Sequence, residues 1–201
     1  MERFLIRREQ IAILSISARS RSWPTAIEKV IRAVYPAECE ILGDDETALR
    51  NYQVALQEDS ANPLARARYA RLLVRRGDLE RAEKQFEILL RLDPEDYKSR
   101  NNLAGLFHMT GRTVEAAAEL EKVTAQRPGY PAAWQNLGRL YLAAGDYARA
   151  ENSCRRFIAL TPANPAGHSL LSQALAGQGR QEEAAKEAAE ARRLSSGPVR
   201  P

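Results

Sequence analysis

Apolar residues recur at helical spacing along most of the chain, and single glycines and prolines separate the apolar stretches. In one segment, Trp134, Leu137 and Tyr141 lie at positions i, i+3 and i+7, which form one face of an α-helix. A second apolar stretch runs from Ala150 to just before Pro162. The segment therefore predicts two helices, of which the first ends at a glycine and the second before a proline.

Glycine, alanine and proline all recur with a period of 34 residues. Glycine suits the left-handed conformation that often ends a helix, proline cannot continue a helix, and a small alanine lets two helices approach closely. The recurring residues are Gly43, Gly77, Gly111, Gly145 and Gly179, then Ala48, Ala82, Ala116, Ala150 and Ala184, and finally Pro94, Pro128 and Pro162. Three residue types that share one period predict a stack of helix-turn-helix units.

The pattern W-x2-L-G-x2-Y…A…P in residues 131–164 resembles the tetratricopeptide repeat family. Its residues there are Trp134, Leu137, Gly138, Tyr141, Ala150 and Pro162, while Cys154 stands where the family usually has an aromatic residue. The same register gives four repeats, at 63–96, 97–130, 131–164 and 165–198. The resemblance implies an all-α fold, a right-handed α-α superhelix (solenoid) of 34-residue helix-turn-helix repeats.

Residues 25–62 are predicted to form a degenerate N-terminal helical repeat. Thr25 with Glu28 three residues later is a capping-box signature. It introduces an apolar stripe that consists of Ile27, Val30, Ile31 and Val34, and a second helix follows through Ala48, Tyr52 and Ala55. Residues 1–24 form a basic N-terminal segment that we expect to be mobile or loosely packed.

The charge balance favours an acidic partner without naming one. The formal net charge is +4 and the isoelectric point is about 9.2, and arginine supplies most of the basic excess. The apolar N-terminal stretch IAILSIS, at 11–17, is far shorter than the roughly 20 residues that a membrane span requires. We therefore expect a cytoplasmic protein without a transmembrane segment. Export by a short N-terminal signal is the alternative, because this stretch follows Arg7 and Arg8.

Residues that could support catalysis are few and scattered. His108 and His168 lie in different repeats, and neither has a cysteine or aspartate at metal-ligand spacing. Cys39 and Cys154 are far apart and show no metal or redox spacing. The sequence therefore predicts a protein that is not an enzyme and that has no cofactor and no metal site.

Resemblance to the family implies that six positions of each repeat face a concave groove. The candidate partner-binding residues at these positions are Arg68, Arg71, Arg75, Lys98, Asn101, Asn102, His108, Gln135, Asn136 and Arg139. Asn102 and Asn136 hold the same position in consecutive repeats, where their amides suit the N–H and C=O groups of an extended peptide. Arg68, Arg71 and Arg75 share one helix face, which suits an acidic side chain or a terminal carboxylate.

The function that we expect is a protein–protein interaction scaffold or adaptor, which binds a peptide segment of a partner protein in the groove as an assembly factor or chaperone. The candidate ligand is an acidic segment. One alternative is a self-associating structural subunit whose exposed end helices pack on copies of itself. Another is an RNA-binding repeat protein, although the aromatic residues that would stack on bases are mostly assigned to the core.

Overall fold

The computed structural model describes residues 44–196, which form nine α-helices and no strand. The helices are α1 (Asp45–Glu58), α2 (Pro63–Arg75), α3 (Leu79–Leu92), α4 (Tyr97–Met109), α5 (Thr113–Gln126), α6 (Pro131–Ala143), α7 (Tyr147–Leu160), α8 (Pro165–Gly177) and α9 (Gln181–Ser196). We call α2, α4, α6 and α8 the first helices, and α3, α5, α7 and α9 the second helices. The predicted basic segment at 1–24 and the apolar stripe from Ile27 to Val34 lie outside the described residues.

A glycine in the left-handed conformation follows each first helix. The φ angles are 77° at Gly77, 78° at Gly111, 73° at Gly145 and 79° at Gly179. After α6, the Gly145 N–H donates to the Leu142 carbonyl at 3.1 Å and the Asp146 N–H donates to the Tyr141 carbonyl at 2.9 Å. These are the two hydrogen bonds of a Schellman motif. Because other residues are strained at such φ angles, the predicted helix-ending role of these four glycines is confirmed.

The described residues divide into two compact units, 44–85 and 86–196. In the unit formed by 44–85, α1 packs against α2. The rings of the buried Tyr52 and Tyr69 lie 6.4 Å apart between centroids. Gln53 Nε2 donates a hydrogen bond to the Tyr69 hydroxyl at 3.0 Å. The contacts between these two helices are therefore both aromatic and polar.

In the unit formed by 86–196, each helix from α4 to α8 packs on the next one along the chain. The first helices also contact one another, because α4 touches α6 and α6 touches α8. This arrangement places α4, α6 and α8 side by side in one layer. Side chains on successive first helices can therefore contribute to one surface within this unit.

Small residues allow α6 and α7 to approach closely. A Cβ atom on Gly138 would lie 2.9 Å from Cys154 Sγ, and Ala150 and Cys154 are both completely buried. The predicted close contact at Gly138 is therefore confirmed, and Cys154 is the residue that it meets. Burial raises the pKa of the Cys154 thiol to about 12, so this thiol stays protonated at neutral pH.

The fourth residue of the first helices α2, α4 and α6 fastens the preceding turn, a contact that the sequence pattern does not reveal. Arg100 on α4 donates from Nη2 to the Pro94 carbonyl at 2.7 Å and from Nη1 to Glu119 Oε2 at 2.6 Å. Trp134 on α6 donates from Nε1 to the Pro128 carbonyl at 2.8 Å. We call this hydrogen bond, from the fourth residue to a carbonyl in the preceding turn, the turn staple.

Arg66 forms the turn staple of α2, but its second partner is neutral. It donates to the Ser60 carbonyl and, at 2.5 Å, to Gln85 Oε1. Arg66 is buried, and burial lowers its pKa. Its Nε atom has no hydrogen-bond partner within the part of the chain that the structure describes. Arg66 therefore has a less favourable environment than Arg100, which contacts a carboxylate.

None of the described helices is both long enough and apolar enough to cross a membrane. Within residues 44–196, no group of three or more His, Cys, Asp or Glu side chains is arranged to hold a metal ion.

Candidate partner-binding surface

The predicted binding residues fall in both compact units. Arg68, Arg71 and Arg75 lie on α2 within 44–85. The residues within 86–196 are Lys98, Asn101, Asn102 and His108 on α4, and Gln135, Asn136 and Arg139 on α6. Most of the predicted residues therefore belong to the longer unit.

On α2, Arg75 differs from the other two arginines. Its Nη2 atom lies 2.5 Å from Asp45 Oδ1 and its Nε atom lies 3.3 Å from Asp45 Oδ2, which joins α2 to the start of α1. Arg68 and Arg71 are exposed and form no ion pair with any described residue. Arg68 and Arg71 are therefore the α2 cations that remain available for an external carboxylate.

An amide pair connects α4 and α6. Asn136 Nδ2 donates to Asn101 Oδ1 at 3.0 Å, and Asn101 is buried. The repeat pattern alone makes Asn102 and Asn136 equivalent. In the structure Asn136 already has a partner, whereas the half-buried Asn102 makes no side-chain hydrogen bond to a described residue. The Asn101–Asn136 pair therefore holds the two helices in register and leaves Asn102 available.

Four more predicted residues on these helices also have unused polar groups. Gln135 is half-buried and Arg139 is exposed, and neither side chain forms a hydrogen bond or ion pair within residues 44–196. Lys98 is exposed, and its Nζ atom lies 5.9 Å from the centroid of the Tyr97 ring. His108 is exposed in the last turn of α4. We call Lys98, Asn102, Gln135 and Arg139 the α4–α6 polar set.

The first helices contain no acidic residue. Neither aspartate nor glutamate occurs within α2, α4, α6 or α8, whereas α3, α5, α7 and α9 each contain glutamate. The exposed cations of the first helices that have no ion pair within the described chain are Arg68, Arg71, Lys98 and Arg139. The side chains of each first helix are therefore either neutral or cationic. This segregation favours anionic ligands.

Two glutamates of the second helices, Glu119 and Glu151, form ion pairs with basic side chains. Burial alone would raise the pKa of Glu119, but hydrogen bonds from Lys122 and Arg100 outweigh burial and hold that pKa below its ordinary value. Glu151 on α7 is buried and lies 2.6 Å from Arg155 and 2.8 Å from Arg180. These carboxylates are engaged in packing contacts between helices.

Catalytic side chains do not converge in the described residues. His168 Nδ1 lies 2.7 Å from Glu187 Oε2, which ties α8 to α9. His108 is exposed on α4, whereas Cys154 is buried on α7, where it lies against Gly138 of α6. Within residues 44–196, no hydrogen bond joins either histidine to the cysteine, so the three side chains do not form a nucleophile–base arrangement of the kind that covalent catalysis needs.

Two sequence models of the tetratricopeptide repeat match the chain, one over residues 68–131 and the other over residues 107–174. Together they span more than half of its length. The chain belongs to the tetratricopeptide repeat family. No curated protein matches its sequence.

Solved structures show the same fold. MamA from Desulfovibrio magneticus RS-1 is 20% identical, with a TM-score of 0.75 over 82% of this chain and 93% of that one. TTC0263 from Thermus thermophilus is 22% identical, with a TM-score of 0.63 over 82% of this chain and 90% of that one. YrrB, described as a tetratricopeptide repeat protein with an unusual peptide-binding site, is 17% identical, with a TM-score of 0.66 over 87% of this chain and 93% of that one.

These likenesses confirm the predicted fold class, an all-α superhelix of helical repeats. Tetratricopeptide repeats form protein–protein interaction scaffolds, and this chain has the architecture of such a scaffold.

Proposed function

We propose that this tetratricopeptide repeat protein is a non-enzymatic adaptor that holds an extended, acidic peptide segment of a partner protein on the first helices α4, α6 and α8. The observation that carries the proposal is the absence of aspartate and glutamate from α2, α4, α6 and α8. A peptide rich in carboxylates meets no like charge on these helices. Such an adaptor would serve as an assembly factor or chaperone for the partner.

Within 86–196, the proposed contacts use the α4–α6 polar set. Asn102 and Gln135 supply amides that can both donate to and accept from a peptide backbone, because neither is engaged within the described chain. Lys98 and Arg139 supply charges for the acidic side chains of the ligand. Because both cations are exposed, each ion pair contributes on the order of 1 kcal/mol, so binding depends on several contacts acting together.

Within 44–85, we propose that Arg68 and Arg71 bind acidic side chains independently. Both are exposed on one face of α2, and guanidinium groups bind carboxylates with two parallel hydrogen bonds. Replacing Arg68 and Arg71 together by serine tests this contact and leaves the Arg75–Asp45 ion pair in place. Unchanged affinity for an acidic ligand would remove α2 from the proposed binding surface.

The burial of the aromatic side chains on the first helices favours a protein ligand over RNA. No aromatic residue of the described first helices is exposed: Tyr69, Phe107 and Tyr141 are buried, and Tyr97 and Trp134 are half-buried. The Trp134 indole N–H also donates a hydrogen bond to the Pro128 carbonyl. Binding of single-stranded RNA relies on aromatic platforms that can stack on bases. The cationic helices here offer charge without such platforms.

The experiment that tests the proposed function is selection from a displayed library of random 12-residue peptides, followed by affinity measurements on the selected peptides. We expect acidic peptides to be enriched, and Arg139→Ser to weaken their binding about tenfold. Arg156→Ser is the matched control, because Arg156 is also exposed and without an ion pair in the described chain but lies on the second helix α7.

Two outcomes would overturn this assignment. Selection of basic or purely apolar peptides contradicts the charge argument. Equal losses for Arg139→Ser and Arg156→Ser show general charge attraction, and competition by a polyuridine oligonucleotide at physiological salt then supports RNA as the ligand.

The proposed compartment is the cytoplasm. The short apolar stretch at 11–17 makes N-terminal sequencing of the native protein the direct test, because removal of that stretch would instead indicate export.

A further inference from the structure

The outer face of α9 carries a regular stripe of four exposed residues. Ala184 and Ala191 are the buried residues of this helix, which packs against α8. Glu182, Ala185, Ala189 and Arg192 are all exposed and follow one another at spacings of three, four and three residues. This spacing places them along one side of the helix. We call these four residues the α9 stripe.

The two charges of the α9 stripe have no ion-pair partner in residues 44–196. Their neighbours are paired: Glu183 lies 2.6 Å from Arg180 and Glu190 lies 2.5 Å from Arg193. Glu182 and Arg192, in contrast, form no ion pair with a described residue. They stand about 15 Å apart along the helix axis and have opposite charges, and the two stripe alanines, Ala185 and Ala189, lie between them.

We propose that the α9 stripe is an interface with a second copy of this chain, in which two α9 helices pack antiparallel about a two-fold axis. An antiparallel pair centred at Glu187 places Glu182 opposite Arg192 of the partner subunit. The same register places Ala185 opposite Ala189 of the partner subunit. Because a two-fold axis repeats each contact, all four stripe residues of both copies are matched. A parallel pair, in contrast, puts like charges opposite each other.

The α9 stripe borders an open groove of about 810 Å³ between α8 and α9. Arg192 is the one stripe residue in the groove lining, to which alanine, serine and proline contribute most. Earlier in the same unit, α5 packs on α6 and α7 packs on α8, so the second helices before α9 each pack on a following helix. Small side chains permit close approach but do not select a partner. The antiparallel charge match is what selects a second copy.

The first measurement is the mass of the protein by sedimentation over micromolar to near-millimolar concentrations. We expect the wild type to form a concentration-dependent dimer that weakens as salt is raised, because exposed ion pairs are screened. Glu182→Arg alone and Arg192→Glu alone each place like charges opposite one another across the two-fold axis. Each should weaken dimerisation by about tenfold or more.

Mixing the two variants is the decisive step. In a mixed pair, opposite charges again face each other at both ends of the stripe, so Glu182→Arg and Arg192→Glu should form a heterodimer while neither self-associates. Lys186→Glu is the matched control, since Lys186 is exposed on α9 outside the stripe and its replacement alters the net charge as Arg192→Glu does. It should dimerise as the wild type does.

Circular dichroism of each variant checks that the total helix content is unchanged, and Ala189→Arg gives a second disruption that leaves Glu182 and Arg192 in place. A wild type that stays monomeric at near-millimolar concentration overturns the proposal, as does a dimer that survives both single charge reversals. Failure of the mixture to associate also overturns it. None of these measurements uses a peptide ligand, so this proposal and the proposed function succeed or fail independently.

Discussion

Arg100 and Glu119 form an ion pair in which both side chains are largely buried, with exposures of 15% and 16% and an Nη1–Oε2 distance of 2.6 Å. The same guanidinium holds the Pro94 carbonyl at 2.7 Å. One side chain on α4 thus fastens both α5 and the preceding turn. Lys122 contacts the same carboxylate at 2.7 Å, but its side chain is 58% exposed.

Arg100→Leu should lower the free energy of unfolding by about 2 kcal/mol, because it leaves the turn carbonyl without its donor and leaves the largely buried Glu119 carboxylate with only the exposed Lys122 as a partner. Urea unfolding measures the change. Lys122→Ala is the control, and should cost less than about 0.5 kcal/mol because its ion pair is exposed. Equal losses for the two variants would show that burial of the Arg100–Glu119 pair is unimportant.

The depressed pKa of Glu119 predicts an acid-sensitive contribution to stability. The ordinary value is 4.5, and the folded value lies below it. Its contribution is therefore fully present above pH 4.5 and is lost as the pH falls through the folded pKa. The stability difference between the wild type and Glu119→Gln should shrink as the pH is lowered below about 4.5. Denaturant melts at several pH values, with the exposed Glu87→Gln as reference, provide the test.

Gln85→Glu should stabilise the protein, since it gives the buried Arg66 a carboxylate partner of the same shape. Arg66 Nη1 already lies 2.5 Å from Gln85 Oε1, so no rearrangement is needed. We expect a gain of about 1 kcal/mol, measured as a higher midpoint of urea unfolding. The gain should vanish when Arg66 is replaced by methionine. A gain that persists in that background would have another origin.

Two glycines with equally open surroundings should respond oppositely to alanine. A Cβ atom on Gly145 or on Gly105 would meet nothing within 4 Å, but Gly145 has a φ of +73° while Gly105 lies inside the helix α4. Gly145→Ala should cost about 1–2 kcal/mol because of backbone strain. Gly105→Ala should gain about 0.5–1 kcal/mol through higher helix propensity. Thermal unfolding of both variants tests the sign difference directly.

The repeated small residues made most of the fold predictable. Gly145 and Ala150 occur where backbone conformation and close packing leave little choice, so their spacing in the sequence indicates helix ends and contacts between helices. Cys154 at an aromatic position of the family pattern did not disturb this prediction, because it lies against Gly138.

Pairing between long polar side chains was not predictable in the same way. Periodicity indicates the face on which Asn101 and Asn136 lie, but not that one amide donates to the other at 3.0 Å. Likewise, Arg100 could be recognised as a staple only when Pro94 and Glu119 were seen to lie beside it. Long side chains have several rotamers of similar energy, and tertiary packing selects among them. Whether the predicted binding residues contact a partner remains a prediction.

The turn staple has a consequence for how a chain of this kind grows. The groups that Arg100 joins all lie within residues 94–119, and those that Trp134 joins lie within 128–134. A duplicated stretch of one period therefore carries its own fastening with it, and a new copy needs no compensating change elsewhere to close its turn. Lengthening by gene duplication thus starts from a stretch that already contains its turn-closing contact, and each copy is free to diverge on its exposed side chains.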